Sequence, residues 1–148
     1  MAMADRRLFV NEDEIPSVRV QREGSSAYGF ARTVFDPETT GTANAVLGTF
    51  TIPPGQTEPM QPHAHAEYDE SEYILTGEGY LLLGPSRDDI RRYELRPGST
   101  FFVPAGYPHC VANTGEGDLK ILFSFYPGWV SGKTYREIGT ELTDIKKL

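Results

Sequence analysis

Short apolar runs recur along this chain, each closed by glycine or proline, of which the sequence holds 15 and 11. The runs SVRVQ (17–21), AVLGTFTI (45–52), EYILTG (72–77), GYLLLG (79–84), STFFVP (99–104), HCVAN (109–113) and LKILFSFY (119–126) are of strand length and rich in β-branched and aromatic residues. Several alternate as half-buried strands do. In Val46–Ile52, residues 46, 50 and 52 are apolar, while Thr49 and Thr51 fall on the other parity. RRLFV (6–10) alternates in the same way. No stretch sustains a helical period, although TYREIGTELTDIKKL (134–148) has the composition of a short terminal helix. FDPETTGTAN (35–44) has turn chemistry and reads as a loop. The charged stretch GPSRDDIRRYELRPG (84–98) reads as a solvated connection. The pattern predicts an all-β barrel over 45–127, preceded by an arm with extra strands over 1–45 and followed by a tail over 128–148.

Composition narrows the class. A chain of 148 residues is ordinarily one domain, large enough to fold without a disulfide or metal staple. The net charge of −7 argues against nucleic acid or an anionic membrane surface as partner. The single cysteine, Cys110, excludes an internal disulfide framework. No apolar stretch has the length of a membrane span, and MAMADRRLFV lacks an apolar signal core, so the expected location is the cytoplasm.

Three histidines are the only ones in the chain, and two of them, His63 and His65, are one residue apart. On an extended backbone, alternate side chains share a face, so both imidazoles point to one spot. Glu70 stands at the start of the next strand, and a hairpin would return its carboxylate to the same place. His109 opens the strand HCVAN after a turn marked by Pro104, Gly106 and Pro108. Three imidazoles with one carboxylate suit Fe, Mn, Ni, Co, Cu or Zn. Glu72 shares the parity of Glu70 and competes with it as ligand, or serves as an acid beside the metal. Glu67 and Asp69 fall in the expected turn. Tyr68, Tyr73 and Tyr107 each carry a phenol that either meets substrate or packs the barrel. Gly77, Gly79, Gly98 and Gly106 are expected in turns, Asn113 bonded to a loop, and Cys110 pointing away from the metal. Leu47, Phe50, Ile74, Leu81, Leu83, Phe101, Val103, Val111, Leu122 and Phe125 are the candidate barrel walls.

The spacings form two motifs. One is H-x-H-x(4)-E-x(6)-G, through His63, His65, Glu70 and Gly77. The other is G-x(5)-P-x-G-x(2)-H-x(3)-N, through Gly98, Pro104, Gly106, His109 and Asn113. Two glycines and one proline at fixed places arise by chance roughly once in 4,000 start points. Both motifs resemble those of the cupin family; the first departs only in that seven residues separate Gly55 from His63, where five are usual. The resemblance implies a double-stranded β-helix of jelly-roll type over 45–127. It also implies one divalent transition metal ion on His63, His65, Glu70 and His109, with Fe(II) first in expectation and Mn, Ni, Co, Cu or Zn as alternatives. Expected with it is a metal-dependent enzyme on a small oxygenated metabolite, most nearly an Fe(II) dioxygenase, with Glu72 and Tyr73 as catalytic candidates. An isomerase, epimerase or lyase working through an enediolate is the second expectation, and a non-catalytic small-molecule binder the third. A homodimer is expected, because small cupins pair and the arm offers strands to a sheet edge.

Overall fold

The apolar runs become strands because each alternates between a buried and an open side. The computed structural model describes residues 5–21, 26–42, 46–56, 63–65, 68–126 and 143–144. Its strands are β1 (Val18–Val20), β2 (Gly29–Phe35), β3 (Val46–Ile52), β4 (His63–Ala64), β5 (Asp69–Thr76), β6 (Gly79–Ser86), β7 (Asp89–Leu95), β8 (Thr100–Val103), β9 (His109–Asn113), β10 (Leu119–Tyr126) and β11 (Thr143–Asp144). A larger antiparallel sheet runs β1-β2-β3-β10-β5-β8, and a smaller one β11-β4-β9-β6-β7. From β4 onward the chain passes repeatedly between the sheets, which is the jelly-roll winding expected. The all-β barrel with extra N-terminal strands is thus present.

Between the sheets lies one apolar core. The inner face of β10, the strand between β3 and β5, presents Leu119, Ile121, Phe123 and Phe125, all essentially inaccessible. Phe50, Ile52 and Ile74 flank them, and Leu81 and Val111 meet them from the smaller sheet. Leu83 and Phe101 pack on this cluster while staying partly open. Two expected wall residues, Leu47 and Leu122, lie on the other parity of β3 and β10 and are only half-buried. Apolar character alone did not reveal their face.

Thr49, expected in water, is buried because the arm covers it. A short 3-10 helix, Glu12–Glu14, sets the Glu12 carboxylate where the Thr49 hydroxyl donates to it and Lys120 Nζ lies 2.6 Å away. Partial burial pushes the Glu12 carboxyl up, but Lys120, Thr49 and Arg32 outweigh it and hold the carboxyl below its ordinary range.

Three local expectations are corrected. RRLFV forms no strand: the Arg7 amide donates to the Thr39 carbonyl at 2.7 Å and its guanidinium to the Val34 carbonyl at 2.9 Å. Its backbone is therefore committed to the neighbouring turn, leaving Leu8 and Phe9 exposed. The loop expected over 35–44 holds a one-turn helix, α1 (Pro37–Thr40), capped by Asp36 and ended by Gly41 at φ 72°. The charged connection over 84–98 is mostly strand. β7 is the edge of its sheet, so charged side chains there remain in water while the backbone pairs with β6. Of the expected helix over 134–148, only Thr143–Asp144 fall among the described residues, and they form β11.

Gly79 is not a turn residue. It sits in β6 opposite Asn113, where an added Cβ would lie 2.0 Å from the Ala112 carbonyl oxygen. Asn113 ties the barrel end together. Its amide donates to the Ile52 and Gly117 carbonyls, both at 2.8 Å, and its oxygen accepts from the Gly115 amide at 2.9 Å. Asn113→Ala would strand these buried groups, so a loss of about 2–4 kcal/mol is expected in urea unfolding. An unchanged midpoint would show that water replaces the amide.

Candidate metal centre

His63 and His109 are direct partners across β4 and β9, which brings their rings to 4.3 Å between centroids. His65 follows two residues after His63 and lies 5.1 Å from it by the same measure. One ring nitrogen from each of the three lies within 4.8 Å of the others, and all three residues are buried. Glu70 reaches the same point from the larger sheet. Its Oε2 is 2.9 Å from His65 Nε2 and 3.3 Å from His109 Nε2. The expected hairpin between the histidines and Glu70 is a correction: β4 and β5 belong to different sheets, so the chain crosses the barrel instead of folding back.

The second motif holds the first in place. The Gly106 amide donates to the His65 carbonyl at 2.6 Å, across a turn that glycine permits at φ 83°. The Ala105 amide donates to the Asp69 carboxylate at 2.9 Å. Asp69 is therefore an anchor for the turn that delivers His109. That ring is oriented by its own backbone neighbourhood, with Nδ1 3.0 Å from the Tyr107 carbonyl oxygen. A carbonyl can only accept, so Nδ1 carries a proton there and the ring is turned with Nε2 toward Glu70.

This donor set fits a metal ion. Two ligands of one ion at 2.0–2.1 Å are at most roughly 4.2 Å apart, so small ring rotations close the three nitrogens onto one ion. Glu70 Oε2 is buried and has no well-directed hydrogen bond despite its close nitrogen neighbours. A cation held between this oxygen and the ring nitrogens would satisfy it. Burial pushes the Glu70 carboxyl up, yet the charge of His65 and close polar contacts from His109, His65 and Glu72 outweigh it. The carboxyl is held well below its ordinary range, in the anionic form a metal needs. The four residues can hold one divalent transition metal ion.

Glu72 lies on the same inward face, 3% exposed, opposite Phe101 of β8 and Phe123 of β10. Its contact favours the ionised form of Glu70. Tyr73 is a correction. It alternates to the outer face, 44% exposed, and does not line the centre. Tyr68, by contrast, is buried with its ring 5.3 Å from that of His65. The Tyr107 side chain has no part in holding His109; its carbonyl does. Glu67 lies outside the described residues. Cys110 is buried and alternates with His109 along β9.

The family model for the cupin domain matches residues 48–125, just over half of the chain. The chain belongs to the cupin family. Among curated proteins, this cupin is 31% identical over 121 residues to auxin-binding protein T85 of Nicotiana tabacum, covering 78% of this chain and 61% of that one. It is 33% identical over 67 residues to the glucose-6-phosphate isomerase of Thermococcus litoralis, covering 44% of this chain and 35% of that one. The cupin thus spans less than two thirds of either relative. A Thermotoga maritima protein described as a predicted oxalate decarboxylase shares the fold, with a TM-score of 0.68 at 23% identity, covering 80% of this chain and 98% of that one. Among the described residues, no helix is long and apolar enough to cross a membrane.

Proposed function

We propose that this cupin is a metal-dependent enzyme acting on a small oxygenated metabolite, and in particular a dioxygenase of the Fe(II) type. The observation that carries the reading is Glu72, a second buried carboxyl on the inward face of β5 beside the four metal-capable residues and between Phe101 and Phe123. Bound on His63, His65, Glu70 and His109, iron would supply Lewis-acid polarisation and one-electron chemistry. The chain's own contribution is to hold the ligands rigid, to exclude water with Phe123, Phe125 and Ile74, and to take up or return a proton at Glu72. The buried polar residues among those described include no lysine or arginine, which favours a neutral hydroxyl or enol over a phosphate at the centre.

An isomerase or lyase working through an enediolate is the second reading. The match to the glucose-6-phosphate isomerase favours it, and Glu72 would serve it equally as proton carrier. Fe(II)-loaded protein on an oxygen electrode, screened against hydroxy ketones, enols and diphenols, separates the two. Oxygen uptake that depends on substrate and on iron is expected. Solvent deuterium entering a substrate without oxygen uptake would overturn the dioxygenase in favour of the isomerase. Binding without turnover in either assay would leave a small-molecule binder.

A homodimer completes the proposal. Tyr73, Leu75 and Phe102 are exposed on the outer face of the larger sheet, an apolar patch suited to a second copy. Light scattering at micromolar concentration is expected to give twice the 16.5 kDa chain mass; a species of the chain mass would refute it.

A further inference from the structure

The two sheets do not meet along every side. β8 ends the larger sheet and β7 ends the smaller one, with no pairing between them among the described residues. At that seam a cleft of about 310 Å³ opens, lined by Leu81, Leu83, Tyr93, Leu95, Thr100 and Phe101. The volume falls in the range of small-molecule sites. Tyr93 shows that the seam is open. It opposes Leu81 and so shares its inward face, yet it remains 46% exposed while Leu81 is 1% exposed.

The cleft reaches the metal-capable centre through two side chains. Leu83 is the direct partner of His109 across β6 and β9, and Phe101 is the direct partner of Glu72 across β8 and β5. Directly opposed residues in antiparallel strands share a face, with Cβ atoms roughly 4.5–5.5 Å apart. Leu83 and Phe101 therefore have one side on the cleft and the other on a metal-capable residue and its neighbouring acid. Both pack on the core without being fully covered by it.

We propose that this side cleft is the subsite for a short apolar substituent of the substrate, with Leu83 and Phe101 setting its size. The inference rests on the reading of the adjacent centre as the place of chemistry. An oxygenated head group lies at the histidines and Glu72, and the apolar remainder passes between Leu83 and Phe101 toward Tyr93. Continuity with the centre is what selects a substrate substituent as occupant over a partner chain. The apolar lining carries one charged residue, Glu94.

Binding tests this without any turnover. Zinc-loaded protein is titrated with phenol and with 4-propylphenol and followed by amide NMR shifts. Both are expected to shift Leu83, Thr100 and Phe101, with 4-propylphenol bound at least about tenfold tighter, because its propyl carbons enter the cleft. Tyr93→Ser, at a half-exposed site, should weaken 4-propylphenol at least about fivefold and leave phenol nearly unchanged. Leu83→Trp should abolish the difference by filling the cleft. Should that variant misfold, the Tyr93→Ser result decides alone. Equal affinities, or shifts confined to other surfaces, overturn the subsite. So does a fall in oligomer mass with Tyr93→Ser, which would make the seam an interface between copies. A negative oxygen-uptake screen would sink the dioxygenase reading and leave these affinities untouched.

Discussion

Alanine at His63, His65 or His109 is expected to lower affinity for a divalent transition metal by more than about a hundredfold in each case, while the protein stays folded and β-rich. Loss of an outer partner of a metal ligand already costs 10–100-fold, so loss of a ligand itself should cost more. The fold survives because the core on β10 is built mainly of apolar side chains, with the His65 ring touching it at Tyr68 and Phe125. Elemental analysis of protein purified without chelator, with circular dichroism alongside, checks both halves. Full metal content in the triple variant would refute the assignment. The same chemistry sets a pH dependence. Neutral imidazole binds metal and imidazolium does not, so affinity should fall as pH drops through the histidine range near 6.5. Flat affinity from pH 8 to 5 would exclude histidine as a ligand.

The next largest effect separates two carboxylates on one strand. Glu70→Gln should lower metal content and turnover together, because an amide is a weak ligand and leaves the buried nitrogens of His65 and His109 without their anion. Glu72→Gln should retain metal and slow turnover by about a hundredfold or more, since the amide keeps a hydrogen bond but cannot act as a general acid or base. Metal content and kcat measured on both variants give the answer. If Glu72→Gln stripped the metal while Glu70→Gln kept it, the ligand would lie one pleat further along β5. If Glu72→Gln changed neither, proton handling would pass to another group.

Much of this centre was legible in the sequence because strand alternation is a rigid rule. The period of two put His63 with His65 and Glu70 with Glu72, and the turn residues Pro104 and Gly106 delivered His109. The same rule excludes Tyr73, which stands between the inward-facing Glu72 and Ile74 and so faces outward, whatever the chemistry of its phenol. What alternation does not encode is which sheet each strand joins. Hence the crossing from β4 to β5 looked like a hairpin, and the facing of Leu47 and Leu122 stayed open. Edge position was equally hidden: β7 is a strand by its pairing, but its charge pattern is that of a loop because water reaches it. The anchoring role of Asp69 depends on a turn 36 residues away, a distance no local motif spans.

The four metal-capable residues come from both sides of the sandwich: His63 and His109 from one sheet with His65 just after β4, and Glu70 from the other. An ion gripping all four would act as a rivet through the sandwich. Without it, each sheet can open on its own schedule, and amide hydrogens in β5 and β9 should exchange with different free energies. With it, either sheet can part from the other only by releasing the metal, so the two strands should exchange with one common free energy, as a single unit.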